Sequence, residues 1–584
     1  MKEFLQKLQQ KFRFSTTNVL ILLSVVVGLA TSLGALGFIA LIEYFNSLFF
    51  GLTDQILTEA IGERPVKFWL PLIPMLGGLL VGPIVYKYAR EAKGHGVPEV
   101  MNAVARLGGI IRPRVAAAKT LASAICIGSG GSAGREGPIV QIGSAIGSTV
   151  GQLFRMSSER VKILVGCGAA AGISSVFNAP IAGVIFSLEI ILGDFAIKTF
   201  SPVILSSVVA SVVTRTFLGD HPAFDVPKYA LVSAWEIPLY IFMGGILGIL
   251  GVAFTRSLDK IEDIFENIKS LPPWAKPALG GLLLGGIAIA FPQVLADGYE
   301  TIKLTLYGEM AIGLLVGLIF LKMLATGLTL GSGNSGGIFA PSLFMGAVAG
   351  GSFGFLVNLL FPGTTASPGA YALVGMAGMV AATTHAPITA MLIIFEMTSD
   401  YRIILPLMVT VVFSALVAGR IFPHSIYTAK LFKRGIDIRG GKDLNILRAH
   451  KVREIMDPKF ETVSISTPLA GIFQKLEQSN ESYFVVVDHQ QNLKGVISFQ
   501  DIRSYLSQHT LDYLVIAQDL VHPITDVVIP DDDLEKAFGI FGIKDLRMLP
   551  VVTGEKDAQK VIAVIRRDSL LDYYNRQLIE TLKR

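Results

Sequence analysis

Residues 128–138 read GSGGSAGREGP, and residues 331–341 read GSGNSGGIFAP. Gly128/Gly331, Ser129/Ser332, Gly130/Gly333, Ser132/Ser335, Gly134/Gly337 and Pro138/Pro341 coincide, each pair 203 positions apart. A second match follows in the same order: Asn178-Ala-Pro-Ile through Glu189 against His385-Ala-Pro-Ile through Glu396, 207 positions apart. Two unrelated matches at nearly one spacing are hard to ascribe to a Gly/Ala/Ser-rich composition. They point to two homologous halves, about 20–220 and 235–425. Transporters often arrange such halves as inverted repeats with a substrate site between them. The repeat itself does not give the relative orientation.

The surrounding composition is that of a membrane protein. Of 584 residues, 52% are hydrophobic and 16% charged, and the mean hydropathy is +0.58. A soluble domain carries about 25% charged residues. A net charge of +5 is too balanced to make nucleic-acid binding the leading idea. Cys126 and Cys167 lie in apolar segments and give neither a disulfide framework nor metal-ligand spacing. The 60 glycines suit closely packed or interrupted membrane helices. The N-terminus shows no signal-peptide pattern. Lys2, Lys7, Lys11 and Arg13 precede the apolar run Val19–Ile42, which exceeds the ~20 residues that span a bilayer. That basic cluster places the N-terminus in the cytoplasm. Further apolar segments follow to about 422, several of them short or broken by Gly and Pro.

After about residue 433 the texture becomes that of soluble protein. The predicted organisation is an N-terminal segment 1–18, a membrane domain 19–434, a linker 435–450 with its boundary near Gly435–Asn445, and a tail 451–584. The tail has its own repeat. Leu469, Ile472, Phe473 and Leu476 have helical i, i+3, i+4, i+7 spacing, as do Leu534, Ala537, Phe538 and Phe541, 65 positions on. Each helix leads into an apolar strand (484–487, 549–552), a second strand (495–498, 561–565) and a helix with an early acid, Asp501 or Asp568. The tail is therefore a tandem α/β module, about 451–510 and 518–580. The predicted fold class is an α-helical polytopic membrane protein with two repeated halves and broken helices, followed by this pair.

Irregular backbone at membrane depth is tolerated only where protein buries it or it lines a wet cavity. Both GSGxSxGxxxP segments run through glycines to a proline and then an apolar helix, and proline suits a helix's first turn. Each reads as a loop feeding a helix N-terminus, whose unpaired N–H donors and partial positive charge make an anion site. Gly94-His95-Gly96-Val97-Pro98 is a third candidate. A cation site would require a carboxylate or carbonyl cluster, and these breaks contain one acid, Glu136. The glycines equally permit close helix packing. A lone ionisable residue in a membrane segment costs about 2.5–3.5 kcal/mol on insertion scales and is a functional candidate by default. Ionised, Glu136 competes with an anion for the same N–H donors; protonated, it releases them. It therefore reads as a pH-sensitive gate, or else as a helix-cap carboxylate.

GHGVPE (94–99), GREGP (134–138), GIFAP (337–341) and Tyr427 resemble, in that order, the four filter elements of the CLC family of chloride channels and proton-coupled anion exchangers. Lys119, seventeen residues before Glu136, also fits the family pattern. The resemblance covers about residues 20–435, and the tail looks like a pair of CBS domains. It implies an integral multi-pass protein of the plasma membrane, a homodimer with one anion path per subunit in the lipid bilayer, and a cytoplasmic N-terminus and tail. It implies that Glu136 is the external gating glutamate. Anion contacts are implied from the backbone amides of Arg135, Gly137, Ile338, Phe339 and Ala340 and from the Tyr427 hydroxyl. Chloride is the default anion and protons a second partner; the reading implies no enzyme activity, no metal and no nucleic-acid partner.

Two departures from the family pattern matter. The first filter motif usually has Ser or Pro where this chain has His95. Imidazole donates one hydrogen bond when neutral and two when protonated, so anion preference and its pH dependence are affected near neutrality. Proton-coupled members commonly carry an inner glutamate immediately after the position of Glu189; here it is Ile190, which carries no proton. This favours a channel or a weakly coupled transporter. The alternative is a proton-coupled antiporter of chloride, nitrate or fluoride, with water delivering protons to Glu136. Glu189 and its repeat Glu396 are expected to be structural.

CBS pairs often bind adenine nucleotides, and no other cofactor is implied. Gly495–Asp501 resembles the ribose-contacting pattern, with Ser498 and Asp501 as hydroxyl partners. The second copy keeps Asp568 but has Ile565 in place of the Ser/Thr; Arg566 and Arg567 are candidate phosphate partners or solvated helix-start charges. A purely structural tail is the other reading. A CBS-bearing intramembrane metalloprotease would need H-E-x-x-H, and none of the eight histidines is followed by Glu. A magnesium transporter would need carboxylates at membrane depth, and Glu136, Glu189 and Glu396 are few and scattered.

Overall fold

The structure is a computed structural model that describes residues 16–51, 69–220, 226–227, 229, 231–398, 401–436, 447, 450–479, 483–503, 505, 513–522, 527–544, 546–554 and 559–583. The basic residues 2–13 and most of the expected linker, 437–446, lie outside the described residues. The chain divides into two compact units, Met1–Ile436 and Asp437–Arg584.

The first unit is helical, and its helices come in two matching series. The first series is α1 (Thr16–Asn46), α2 (Leu72–Pro83), α3 (Val97–Arg106), α4 (Pro113–Gly128), α5 (Glu136–Leu153), α6 (Ser158–Phe177), α7 (Pro180–Phe186) and α8 (Ile197–Leu218). The second is α9 (Ile237–Asn267), α10 (Lys276–Ala290), α11 (Tyr299–Tyr307), α12 (Ile312–Gly331), α13 (Phe339–Leu360), α14 (Pro368–Thr384), α15 (Pro387–Thr398) and α16 (Ile404–Ile421). A last helix, α17 (Ile426–Lys433), stands outside the repeat. Among the described residues, eight helical segments are long and apolar enough to cross a membrane. Packing repeats as well: α5 lies on α6 as α13 lies on α14, and α1 on α8 as α9 on α16.

Chain breaks end the helices where the sequence changes. Asn178 and His385, 207 positions apart, both adopt left-handed backbone after α6 and α14 (φ 54° and 56°). A proline then opens α7 and α15 at the first turn. Small residues let the helices touch at the backbone. A Cβ on Gly78 would meet the Pro277 carbonyl oxygen at 2.3 Å, and one on Gly281 would meet that of Pro74 at 2.1 Å. These contacts exchange when the halves are exchanged, which is the signature of a two-fold relation. Leu22, Leu29 and Leu33 of α1 face outward while Val27 and Phe38 are buried. An apolar outer face suits lipid rather than water.

The second unit is α/β. The first copy has β1 (Thr462–Ser464), α18 (Leu469–Gln478), β2 (Tyr483–Val487), β3 (Leu493–Ser498) and the short α19 (Phe499–Arg503). β1 pairs parallel to β2, and β2 antiparallel to β3 with Val485 opposite Val496. After α20 (Ala517–Leu520), the second copy repeats the plan with α21 (Leu534–Lys544), β4 (Met548–Thr553), β5 (Lys560–Arg566) and α22 (Arg567–Lys583). Each copy has its own core, around Ile472, Phe484 and Ile497 and around Ala537, Leu549 and Ile565. A third cluster of Val485, Val487, Val496, Met548 and Val564 joins the two sheets.

Candidate functional site

The two Gly-rich motifs cross each other. Gly134 and Gly337 form an antiparallel bridge in which each amide donates to the other's carbonyl, at 2.8 and 2.6 Å. The helices that follow, α5 and α13, each start two residues later, so their first turns are brought together by the crossing. First-turn N–H groups have no intrahelical acceptor. The amides of Gly137, Phe339 and Ala340 lie in those first turns, and Arg135 and Ile338 are the N-cap residues.

The third loop enters beside the crossing. Gly94 pairs with Ser335: its amide donates to the Asn334 carbonyl at 2.9 Å, and its carbonyl accepts from Gly336 at 3.2 Å. Lys119, fully buried, donates to the carbonyls of Ala92 (3.1 Å) and Gly94 (2.6 Å) and so fixes this turn. His95 then approaches α5 so closely that a Cβ on Gly137 would sit 2.3 Å from the His95 carbonyl oxygen. That approach is the physical reason for glycine at 137. The His95 ring is buried, its Nδ1 has no partner among the described residues, and its centroid lies 5.8 Å from that of Tyr427.

Tyr427 is held here by ion pairs on its helix. Lys430 pairs with Glu262 at 3.2 Å, Lys433 with Asp263, and Arg434 with Glu99 at 2.6 Å. Glu262 also pairs with Lys93 at 3.1 Å, tying α9, α17 and the first loop together. Lys93 also reaches Glu266 at 3.2 Å, so two lysines face two carboxylates, which is the condition for placing such charges away from water.

Glu136 is buried at the start of α5. Its Oε1 accepts a hydrogen bond from the Tyr299 hydroxyl at 2.7 Å, and Oε2 has no partner among the described residues. A Cβ on Gly134 would lie 2.0 Å from that Oε2, so the carboxylate is folded back over the crossing. The Arg135 side chain stands over the Tyr299 ring, 5.4 Å from its centroid.

Glu189 and Glu396 are placed apart from this cluster and act across the halves. Glu189 accepts from the Ile388 amide (3.3 Å), the Thr389 amide (2.7 Å) and the Thr389 hydroxyl (2.6 Å) at the start of α15. Glu396 accepts from the amides of Ile181 (3.0 Å) and Ala182 (2.6 Å) at the start of α7. Each caps the other half's short helix, the position where a carboxylate complements the helix dipole. Ile190 is buried in the π-helical turn Ser187–Leu192.

In the tail, Asp501 accepts from the Ser498 amide (2.8 Å) and hydroxyl (2.6 Å), and its other oxygen meets His522 Nε2 at 2.8 Å. These contacts hold its carboxyl below the usual range, despite partial burial that pushes the other way. Arg566 turns toward Asp457, at 2.5 Å, and the Lys459 carbonyl. Ile565 lies in the second copy's core, and Asp568 sits in the first turn of α22.

Two residues escaped the sequence reading. Tyr299, on Glu136, carries no motif of its own. Lys322 repeats Lys119: it lies seventeen residues before Phe339 and donates to the carbonyls of Val294 (3.0 Å) and Ala296 (2.9 Å). The spacing of 203 between Lys119 and Lys322 is the motif spacing and was the available signal.

Comparison with known proteins is consistent throughout. The family profile described as "Voltage gated chloride channel" matches residues 77–419, and that of the CBS domain matches 452–508. Chloride channel protein CLC-e of Arabidopsis thaliana is 30% identical over 87% of this chain and 81% of its own length. The H(+)/Cl(-) exchange transporter ClcA of Salmonella arizonae is 32% identical over 72% of this chain and 89% of its own. The crystal structure of a slow cyanobacterial Cl-/H+ antiporter superposes with a TM-score of 0.65 at 29% identity, over 71% of this chain and 97% of that one. A multi-pass membrane unit built of two crossed halves, joined to a CBS-containing tail, thus belongs to the CLC family of voltage gated chloride channels and H+/Cl- exchangers.

Proposed function

We propose that the chain conducts chloride through the junction of its three Gly-rich loops, passively or with weak proton coupling. The observation that carries this is the Gly134–Gly337 crossing, which sets a helix start from each half beside the His95 loop. Oriented N–H groups there replace part of the water shell of a small anion. In this reading the anion contacts are the amides of Arg135, Gly137, Ile338, Phe339 and Ala340 and the Tyr427 hydroxyl, His95 adjusts preference, and Glu136 is the gate. Glu136 lies where an anion at the crossing competes with it, and protonation relieves that competition.

Ile190 supports weak coupling, since its buried side chain carries no proton. The second reading is full proton-coupled exchange, favoured by the names of the bacterial relatives. It requires water to reach Glu136 without a side-chain relay. The test is the reversal potential of the purified chain in liposomes under a proton gradient. A potential set by chloride alone supports the first reading, and a shift with the proton gradient supports the second.

The working unit in this proposal is a homodimer in the plasma membrane, with N-terminus and tail in the cytoplasm. For the tail, the bonds already made by Asp501 favour a structural role over adenine-nucleotide binding at Ser498, Asp501 and Asp568. A nucleotide reaching Asp501 displaces His522, so ATP titration that leaves the His522 resonances unmoved upholds the structural role.

A further inference from the structure

We propose that Tyr299 is a positioning residue whose hydroxyl latches Glu136 in the path and sets how readily it takes up a proton. This rests on the reading of Glu136 as the gate. The hydroxyl is the single hydrogen-bond donor to the Glu136 carboxylate from another side chain among the described residues, at 2.7 Å. The other oxygen has no partner and lies against Gly134. Beside its own backbone amide, the carboxylate is thus held by this one side-chain bond.

The second half is built to deliver that hydroxyl. Lys322 clamps the carbonyls of Val294 and Ala296, Gly298 turns with φ 78°, and Tyr299 opens α11. The first half uses the same construction: Lys119 clamps Ala92 and Gly94, Gly96 turns with φ 83°, and Val97 opens α3. Tyr299 is thus the repeat counterpart of Val97. Where the first half sends a backbone loop to the crossing, the second sends a phenol to the gate. The ring is fixed by the Arg135 guanidinium on its face, and its amide approaches Asp297 Oδ1 at 3.4 Å.

The titratable and charged groups facing Glu136 are Arg135, Asp297, Tyr299 and Tyr427. Tyr299→Phe keeps Arg135, Asp297 and Tyr427 and the ring, and removes the hydroxyl that donates to Glu136 and also meets the Arg135 side chain. A phenol donating to a carboxylate favours the ionised form, so its loss eases protonation and frees the gate at higher pH. A hydrogen bond to a charged group corresponds to a shift of about one to two pH units.

The experiment is chloride efflux from liposomes against external pH, with the full chain as wild type, Tyr299→Phe, Glu136→Gln and the double variant. The expected result is a midpoint about one to two units more alkaline in Tyr299→Phe, about ten- to hundredfold faster efflux well above both midpoints, and no added effect of Tyr299→Phe on Glu136→Gln. A wild-type midpoint in Tyr299→Phe, or an equal effect of that change in the Glu136→Gln background, overturns the latch while leaving the gate intact. A wild-type pH profile in Glu136→Gln overturns the gate itself and the latch with it. Fluorotyrosine at 299 preserves the ring and strengthens the donor. It moves the midpoint to lower pH if the latch is real, and leaves it unmoved if the ring's packing alone matters.

Discussion

Replacing Glu396 with alanine separates a structural acid from a proton-carrying one. The carboxylate accepts two backbone hydrogen bonds at the start of the opposite half's α7, from Ile181 at 3.0 Å and Ala182 at 2.6 Å. Ala182 is fully buried, and its amide loses its acceptor on truncation. An orphaned buried donor costs about 1–3 kcal/mol, and the lost charge–dipole attraction adds about 0.3–1 kcal/mol. Glu396→Ala therefore destabilises by about 1–4 kcal/mol. Glu189→Ala costs about 1 kcal/mol more, because Glu189 also holds the Thr389 hydroxyl at 2.6 Å. Unfolding of the detergent-solubilised chain in graded SDS measures both, and the reversal potential under a proton gradient is recorded on the same preparations. Lower stability with an unchanged potential is the expected pair of results. Intact stability with an altered potential refutes the capping argument and makes these acids carriers.

Three further outcomes follow from the same geometry. His95→Ser, at a buried ring beside Tyr427, changes the relative flux of chloride, nitrate and fluoride in liposomes; an identical anion series before and after rejects a filter role. Lys322→Met leaves the carbonyls of Val294 and Ala296 without their shared donor and costs about 2–4 kcal/mol, read by the same SDS titration; a wild-type curve contradicts the clamp. In the tail, the Lys451 amide, with His450 and Tyr573, holds the Glu454 carboxyl at about 2 rather than 4.5. A folded value below the unfolded one stabilises above about pH 4.5 and is lost as pH falls toward 2. Glu454→Ala therefore flattens the acid sensitivity of tail proteolysis in the intact chain between about pH 4.5 and 2, and an unchanged pH dependence counts against these bonds.

The repeat was readable in the sequence because the Gly-rich breaks turn with left-handed backbone at Gly130 and Gly333 (φ 87° and 106°) and cross at Gly134 and Gly337, where a Cβ has no room. The helices between them were less distinct, since membrane helices are apolar on most faces and lack the periodicity that marks α18 and α21. Glu136 was conspicuous as a lone acid among glycines. Its partner Tyr299 was not, because a tyrosine near the end of an apolar run looks like an interfacial anchor. Only the fold brings residues 163 positions apart to one hydrogen bond. Lys322 was legible by its spacing from Lys119, but a single basic residue in an apolar helix gives no hint of the carbonyls it clamps. In the tail, Ser498 and Asp501 suggested a ligand pattern by type, whereas their mutual bonds and the approach of His522 depend on β3 and the 522 segment lying side by side.

The most direct test of the anion path is the position of bromide in anomalous diffraction from crystals of the full chain grown in bromide. The account predicts a peak within hydrogen-bonding reach of the first-turn amides of α5 and α13 and the Tyr427 hydroxyl, stronger in Glu136→Gln than in wild type. Bromide absent from the crossing in Glu136→Gln, with ordered sites elsewhere in the membrane unit, contradicts it.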